Sequence, residues 1–181
     1  MAVIRAFFAG HPYRIAAAAA AAVLGLALFW YLASPLWIRT YAEESLPTRE
    51  PARSAPAAAG TTAPASATPA EPRVLARGQL GYVDDLHNGK GEVRLVEVGG
   101  LRLVRFEQVA ITNAPDIHVY LSKDRGGRYV PANTLYLGTL RATNGSFNYE
   151  LPPGTSLDDY QSVVVWCRAF AVLITWADLA R

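Results

Sequence analysis

The stretch Asp116-Ile117-His118-Val119-Tyr120-Leu121 alternates strictly, setting Ile117, Val119 and Leu121 against Asp116, His118 and Tyr120. Successive side chains of a strand point to opposite faces, so this reads as a strand with one apolar and one polar face. The same habit recurs on either side. Glu92-Val93-Arg94-Leu95 and the run from Leu101 to Glu107 flank Gly99-Gly100, which predicts a hairpin with a glycine turn. Leu135-Tyr136-Leu137 gives a short strand before Gly138. Asn144-Gly145 reads as a turn into the alternating Ser146-Phe147-Asn148-Tyr149-Glu150-Leu151, which Pro152-Pro153-Gly154 stops. From Ser162 to Thr175 the chain is almost wholly apolar apart from Arg168, as in a strand buried on both faces or two consecutive strands at the centre of a core. Short strands separated by turn residues predict an all-β sandwich or barrel over residues 73–181. A domain of this length can support its own core without disulfide staples, which suits a chain with one cysteine.

The chain before Arg73 has a different character. Residues 15–33 carry no charge and run through polyalanine into Val23-Leu24-Gly25-Leu26, about the length that spans a bilayer as a helix. Trp30, Tyr31 and Trp37 sit at the distal end, where amphipathic rings favour the headgroup layer. Arg5 and Arg14 precede the apolar run while Glu43 and Glu44 follow it, so residues 1–14 are expected in the cytoplasm and the carboxy-terminal domain in the periplasm or outside the cell. A cleaved signal peptide shares the basic start and apolar run. Ala33-Ser34-Pro35-Leu36-Trp37 offers no good small-x-small cleavage site, which favours a retained single-pass anchor over 15–33. Residues 34–72 read as an extracytoplasmic linker. From Ser45 to Pro72, 22 of 28 residues are Pro, Ala, Ser or Thr, a composition expected to stay disordered and to act as a spacer of up to roughly 80 Å.

Composition excludes some functions. From Arg73 onward 12 Lys/Arg face 11 Asp/Glu, with the two signs interleaved, so no nucleic-acid partner is expected. No nucleophile–His–Asp order, phosphate-binding glycine loop or dinucleotide fingerprint is present, and the reading leans away from an enzyme with catalytic residues.

The unit from Asn113-Ala114-Pro115-Asp116 through Leu121 leads to Leu137-Gly138-Thr139-Leu140, Asn148-Tyr149, Tyr160 to Cys167 and Phe170-Ala171-Val172. In that order and spacing these residues resemble the DM-thirteen domain family, also called electron transfer DM-thirteen, from about Gly78 to Leu179. The Asn-x-Pro-Asp turn and the Val-x-Trp-Cys-x-x-Phe ending are its most specific elements. The resemblance implies a β-rich domain outside the cytoplasm and a proposed redox role centred on the cysteine that Cys167 matches. Ala114 departs from the pattern, where glycine is common, as does Ile174-Thr175-Trp176.

The residues themselves leave the role of Cys167 open. It is either a thiolate that binds or reacts, or a small buried hydrophobe sharing strand parity with Val163 and Val165. His118 is the second redox or ligand candidate. Asp116 lies on its face, and Trp166 and Tyr120 are further supporting candidates; a solvated sheet face is the plainer reading for His118, and core packing for Trp166. One Cys and two His in the domain, His87 and His118, disfavour a zinc site. A noncovalent haem or another metal is left open without a motif to support it, since no Cys-x-x-Cys-His is present. Two functions follow: a membrane-tethered domain with an electron-transfer role and a redox partner, or a non-catalytic module binding a cell-envelope partner, in which Cys167 is core packing.

Overall fold

A computed structural model describes residues 12–34, 37–47 and 71–181. The sequence-based readings for the first eleven residues and for most of the Pro/Ala-rich stretch lie outside these. Pro12–Ala33 forms one helix, α1, with mean hydropathy 2.1 over its most apolar window, long enough to cross a membrane and consistent with a signal anchor or a signal peptide.

Arg39–Arg181 form a separate compact unit, mostly β. Its strands are β1 (Tyr41–Glu43), β2 (Arg73–Gln79), β3 (Gly89–Val98), β4 (Leu101–Ile111), β5 (Ile117–Ser122), β6 (Thr134–Thr139), β7 (Asn144–Glu150), β8 (Ser162–Cys167) and β9 (Val172–Asp178). They make two sheets packed as a sandwich, one five-stranded in the order β1-β7-β4-β3-β2 and one four-stranded in the order β6-β5-β8-β9. The glycine hairpin forms as expected, with Gly99 and Gly100 at φ of 56° and 81° between β3 and β4. The apolar run after Ser162 resolves into two strands joined by residues 168–171.

Alternation places Val93, Leu95, Val104, Phe106, Phe147 and Tyr149 on the inner face of the first sheet, all buried. Val119, Leu121, Val163, Val165 and Cys167 face them from the second. Phe106 stacks on Phe147 at 5.0 Å, and Tyr149 meets both edge-on. The Tyr149 hydroxyl crosses to β6 and donates to Thr139 O at 2.9 Å, which satisfies its polar tip. Burial pushes its phenol well above the ordinary value.

The β unit also takes in part of the stretch read as linker. Tyr41–Glu43 pair in parallel with Asn144–Ser146 and extend the edge of the first sheet. Thr40 and Thr143 hydrogen-bond reciprocally, N–H to hydroxyl, at 3.0 and 2.9 Å. Glu44 accepts from Asn148 N–H at 3.0 Å and from Arg141 at 2.7 Å, while its carbonyl accepts from the buried Arg105 at 2.9 Å. Gly145 is therefore inside β7 rather than in a turn. Its φ is 107°, and an added Cβ would lie 2.0 Å from Ala42 O, so only glycine admits β1 at this register.

Candidate functional site

β5 is the strand on which the sequence candidates meet. Its inward residues Ile117, Val119 and Leu121 join the core, and its outward residues are His118, Tyr120 and Ser122. The outward face is not solvated: all six residues of β5 are buried, His118 at 5% exposure. The cover comes from two places. β6 brings Tyr136 into register with Tyr120, and the loop after β5 folds back over the sheet. Ser122 Oγ donates to Arg128 O at 3.2 Å, Ser162 Oγ to Asp124 O at 2.7 Å, and Gly126 N to Asp178 Oδ1 at 2.9 Å. These bonds lay Tyr129 flat on Trp166, ring centroids 4.5 Å apart.

The result is a continuous group of rings. Tyr129 meets Tyr120 edge-on at 5.0 Å, Tyr120 lies 5.4 Å from Tyr136, and Tyr136 lies 5.6 Å from His118. Arg168, the first residue after β8, donates from Nε to the Tyr120 hydroxyl at 2.7 Å, with its guanidinium 4.7 Å from the centre of the Tyr136 ring. Burial, then a hydrogen bond with Tyr129, holds the Tyr120 phenol above its usual range, while Arg168 pulls the other way.

His118 has a defined pair of neighbours: its Nε2 is 2.6 Å from Asp116 Oδ1, and its Nδ1 is 3.0 Å from the Tyr136 hydroxyl. An ionised carboxylate only accepts, so Nε2 carries the hydrogen. In a neutral ring that leaves Nδ1 as the acceptor of the Tyr136 O–H, an assignment that follows from the network. The arrangement is a hydroxyl, a base and an orienting acid in series. Tyr136 is 46% exposed and the Asp116 side chain 41%, so both ends of the series reach the surface and the imidazole between them is buried.

Cys167 is elsewhere. It pairs with Ile117, faces the core, is fully buried and has no disulfide partner. Trp166 takes the opposite face, paired with His118. Thus His118, Asp116, Tyr120 and Trp166 come together on one side of the sheet, with the sulfur on the other. Among the described residues, His, Cys, Asp and Glu side chains nowhere gather in threes suited to a metal. The sequence reading missed Tyr129, Tyr136 and the contact role of Arg168. Tyr136 had a signal, being the polar-tipped residue between Leu135 and Leu137 on a strand. Tyr129 had none, because it reaches the site through a loop.

A model of the family described as Electron transfer DM13 matches residues 82–179, over half the chain. The chain belongs to the DM13 family. That span covers the Asn113–Asp116 turn, the ring group and Cys167, so every candidate named above lies inside the DM13 match. No curated protein and no solved structure matches the chain.

Proposed function

We propose that this protein is a single-pass, membrane-anchored DM13 domain, with its amino terminus in the cytoplasm and its β domain in the periplasm or outside the cell. Its electron-transfer role runs through the outer face of the second sheet, and Cys167 serves the core. The observation that carries this reading is the hydrogen-bonded series Tyr136–His118–Asp116 beside the rings of Tyr120, Tyr129 and Trp166. The buried, unpaired Cys167 supports its second half, since a thiol enclosed in the core is closed to partners and reagents.

The chemistry is a one-electron step with a proton attached. A partner protein's redox centre, in its one-electron-oxidised state, takes one electron from the Tyr136 ring. The phenolic proton passes along the hydrogen bond to His118 Nδ1, leaving a neutral phenoxyl radical and an imidazolium facing Asp116. A one-electron donor returns the electron, and the proton returns from Nδ1 to oxygen. Asp116 accepts from Nε2–H and holds the ring in place while Nδ1 carries the transferred proton. Tyr120 keeps its proton, and its ring and that of Tyr129 fill the path from Trp166 to Tyr136.

The test is oxidation of the full chain in detergent by a photogenerated one-electron oxidant, followed by electron paramagnetic resonance. A tyrosyl signal is expected in the wild type and in Cys167→Ser, and its loss in Tyr136→Phe. An equal signal in Tyr136→Phe would overturn the assignment and favour a redox-silent module that binds an envelope partner.

A further inference from the structure

Where the chain enters the sandwich, the domain also exposes its apolar side chains. β1 begins there, with Tyr41 opposite Asn144, and β4 ends there, with Ile111 opposite Gly89. Backbone hydrogen bonds hold the loops of this end together. Ile111 N donates to Thr143 O at 2.8 Å, Thr112 N to Asn88 O at 3.0 Å, and Arg168 N to Asp116 O at 2.9 Å. The loops so joined are residues 80–88, 112–116 and 168–171. On them Tyr82, Leu86 and Phe170 are 62%, 68% and 54% exposed, and Tyr41, at the start of β1, is 73% exposed. Val83 in the same loop is also exposed. Among the described residues of the β unit, the other exposed large apolar side chains are Val74, at the opposite end of β2, and Tyr136 in the ring group.

We propose that this end of the sandwich is a lipid-contact surface, with Leu86, Phe170 and Tyr82 entering the headgroup layer of the membrane that α1 crosses. The proposal rests on reading α1 as a retained anchor. The connection from α1 to β1 is residues 34–40, and seven residues reach at most about 25 Å when fully extended. On that reading the connection attaches the anchor to the end of the β unit where β1 starts. The connection itself carries Trp37, a residue type favoured at the interface. The charges at this end are of both signs, with Arg39, Lys90, Arg141 and Arg168 among Asp84, Asp85 and Asp116. Contact through apolar side chains therefore needs no anionic lipid.

The experiment uses the full chain reconstituted in phosphatidylcholine vesicles that contain a lipid spin-labelled near its headgroup. Leu86→Cys, Phe170→Cys and Val74→Cys are each labelled natively with an environment-sensitive fluorophore; the buried Cys167 stays in place and unlabelled. The expected result is a blue shift and loss of most emission at 86 and 170, with neither at 74. Emission at 86 and 170 matching that at 74 would overturn the proposal. So would a blue shift without quenching by the spin-labelled lipid, which would assign the surface to a protein partner or a second copy. Alkaline extraction of the same vesicles reports on the anchor separately. A chain that is extracted removes the anchor reading and this proposal together, whereas a retained but unquenched chain removes the proposal alone.

Discussion

Cys167 and Trp166 are adjacent in sequence and separated by the thickness of a sheet. The thiol packs against the core while the indole stacks on Tyr129. Cys167→Ser puts a hydroxyl where no solvent reaches, and an unsatisfied buried hydroxyl costs roughly 1–3 kcal/mol. Denaturant unfolding is expected to show that loss, with the oxidation behaviour of the native protein unchanged. Native Cys167 should react with thiol reagents at the rate of unfolding, and fast labelling would remove the packing assignment. His118→Phe abolishes the proton acceptor, so Tyr136 should oxidise at a higher potential, measured by voltammetry, than in the wild type. The inward parity of Cys167 and the shared face of His118 and Asp116 were legible from alternation alone. The burial of His118 was not, because Tyr136 packs against it from a neighbouring strand, and single-strand periodicity says nothing about what lies above a face.

At the scale of the element, β1 is the least expected strand and the easiest to perturb. Three residues, Tyr41-Ala42-Glu43, are too short and too polar to announce themselves in a sequence; their strand is made by the partners they find on β7. Gly145→Val is expected to expel β1 while leaving the rest of the sandwich in place, because the added atoms would overlap Ala42 O. Hydrogen exchange should then quicken at residues 41–44 and stay slow in β8. Acid should act on the same contact. Burial raises the Glu44 carboxyl, but the N–H of Asn148 and the Arg141 side chain outweigh it and leave the group below the ordinary carboxylate range. A lowered acid contributes stability that is fully present above its unfolded value and is lost as pH falls through its folded value. Exchange at residues 41–44 should therefore rise, relative to the intrinsic rate, as pH drops below the usual carboxylate range. Glu44→Gln should flatten that dependence.

At the scale of the molecule, the β unit begins at Arg39. A chain starting at Arg73 lacks β1 and leaves the edge of β7 unpaired, an invitation to pairing between copies. Size-exclusion chromatography is expected to show more association for residues 73–181 than for residues 39–181. The sandwich as a class was readable from strand spacing, since each run of alternation became a strand. The place of β1 was not, because it depends on a contact between positions about a hundred residues apart in the chain. That contact changes what the Pro/Ala-rich stretch connects. β1 lies at one edge of the first sheet and β2 at the other, and the strand directions bring the carboxyl end of β1 and the amino end of β2 to the same end of the sheet. The stretch joins two strands of one folded body. On the proposed anchoring, a protease that nicks it once leaves α1 joined to the body through β1, so release from the membrane requires a second event, the peeling of a three-residue strand from its neighbour.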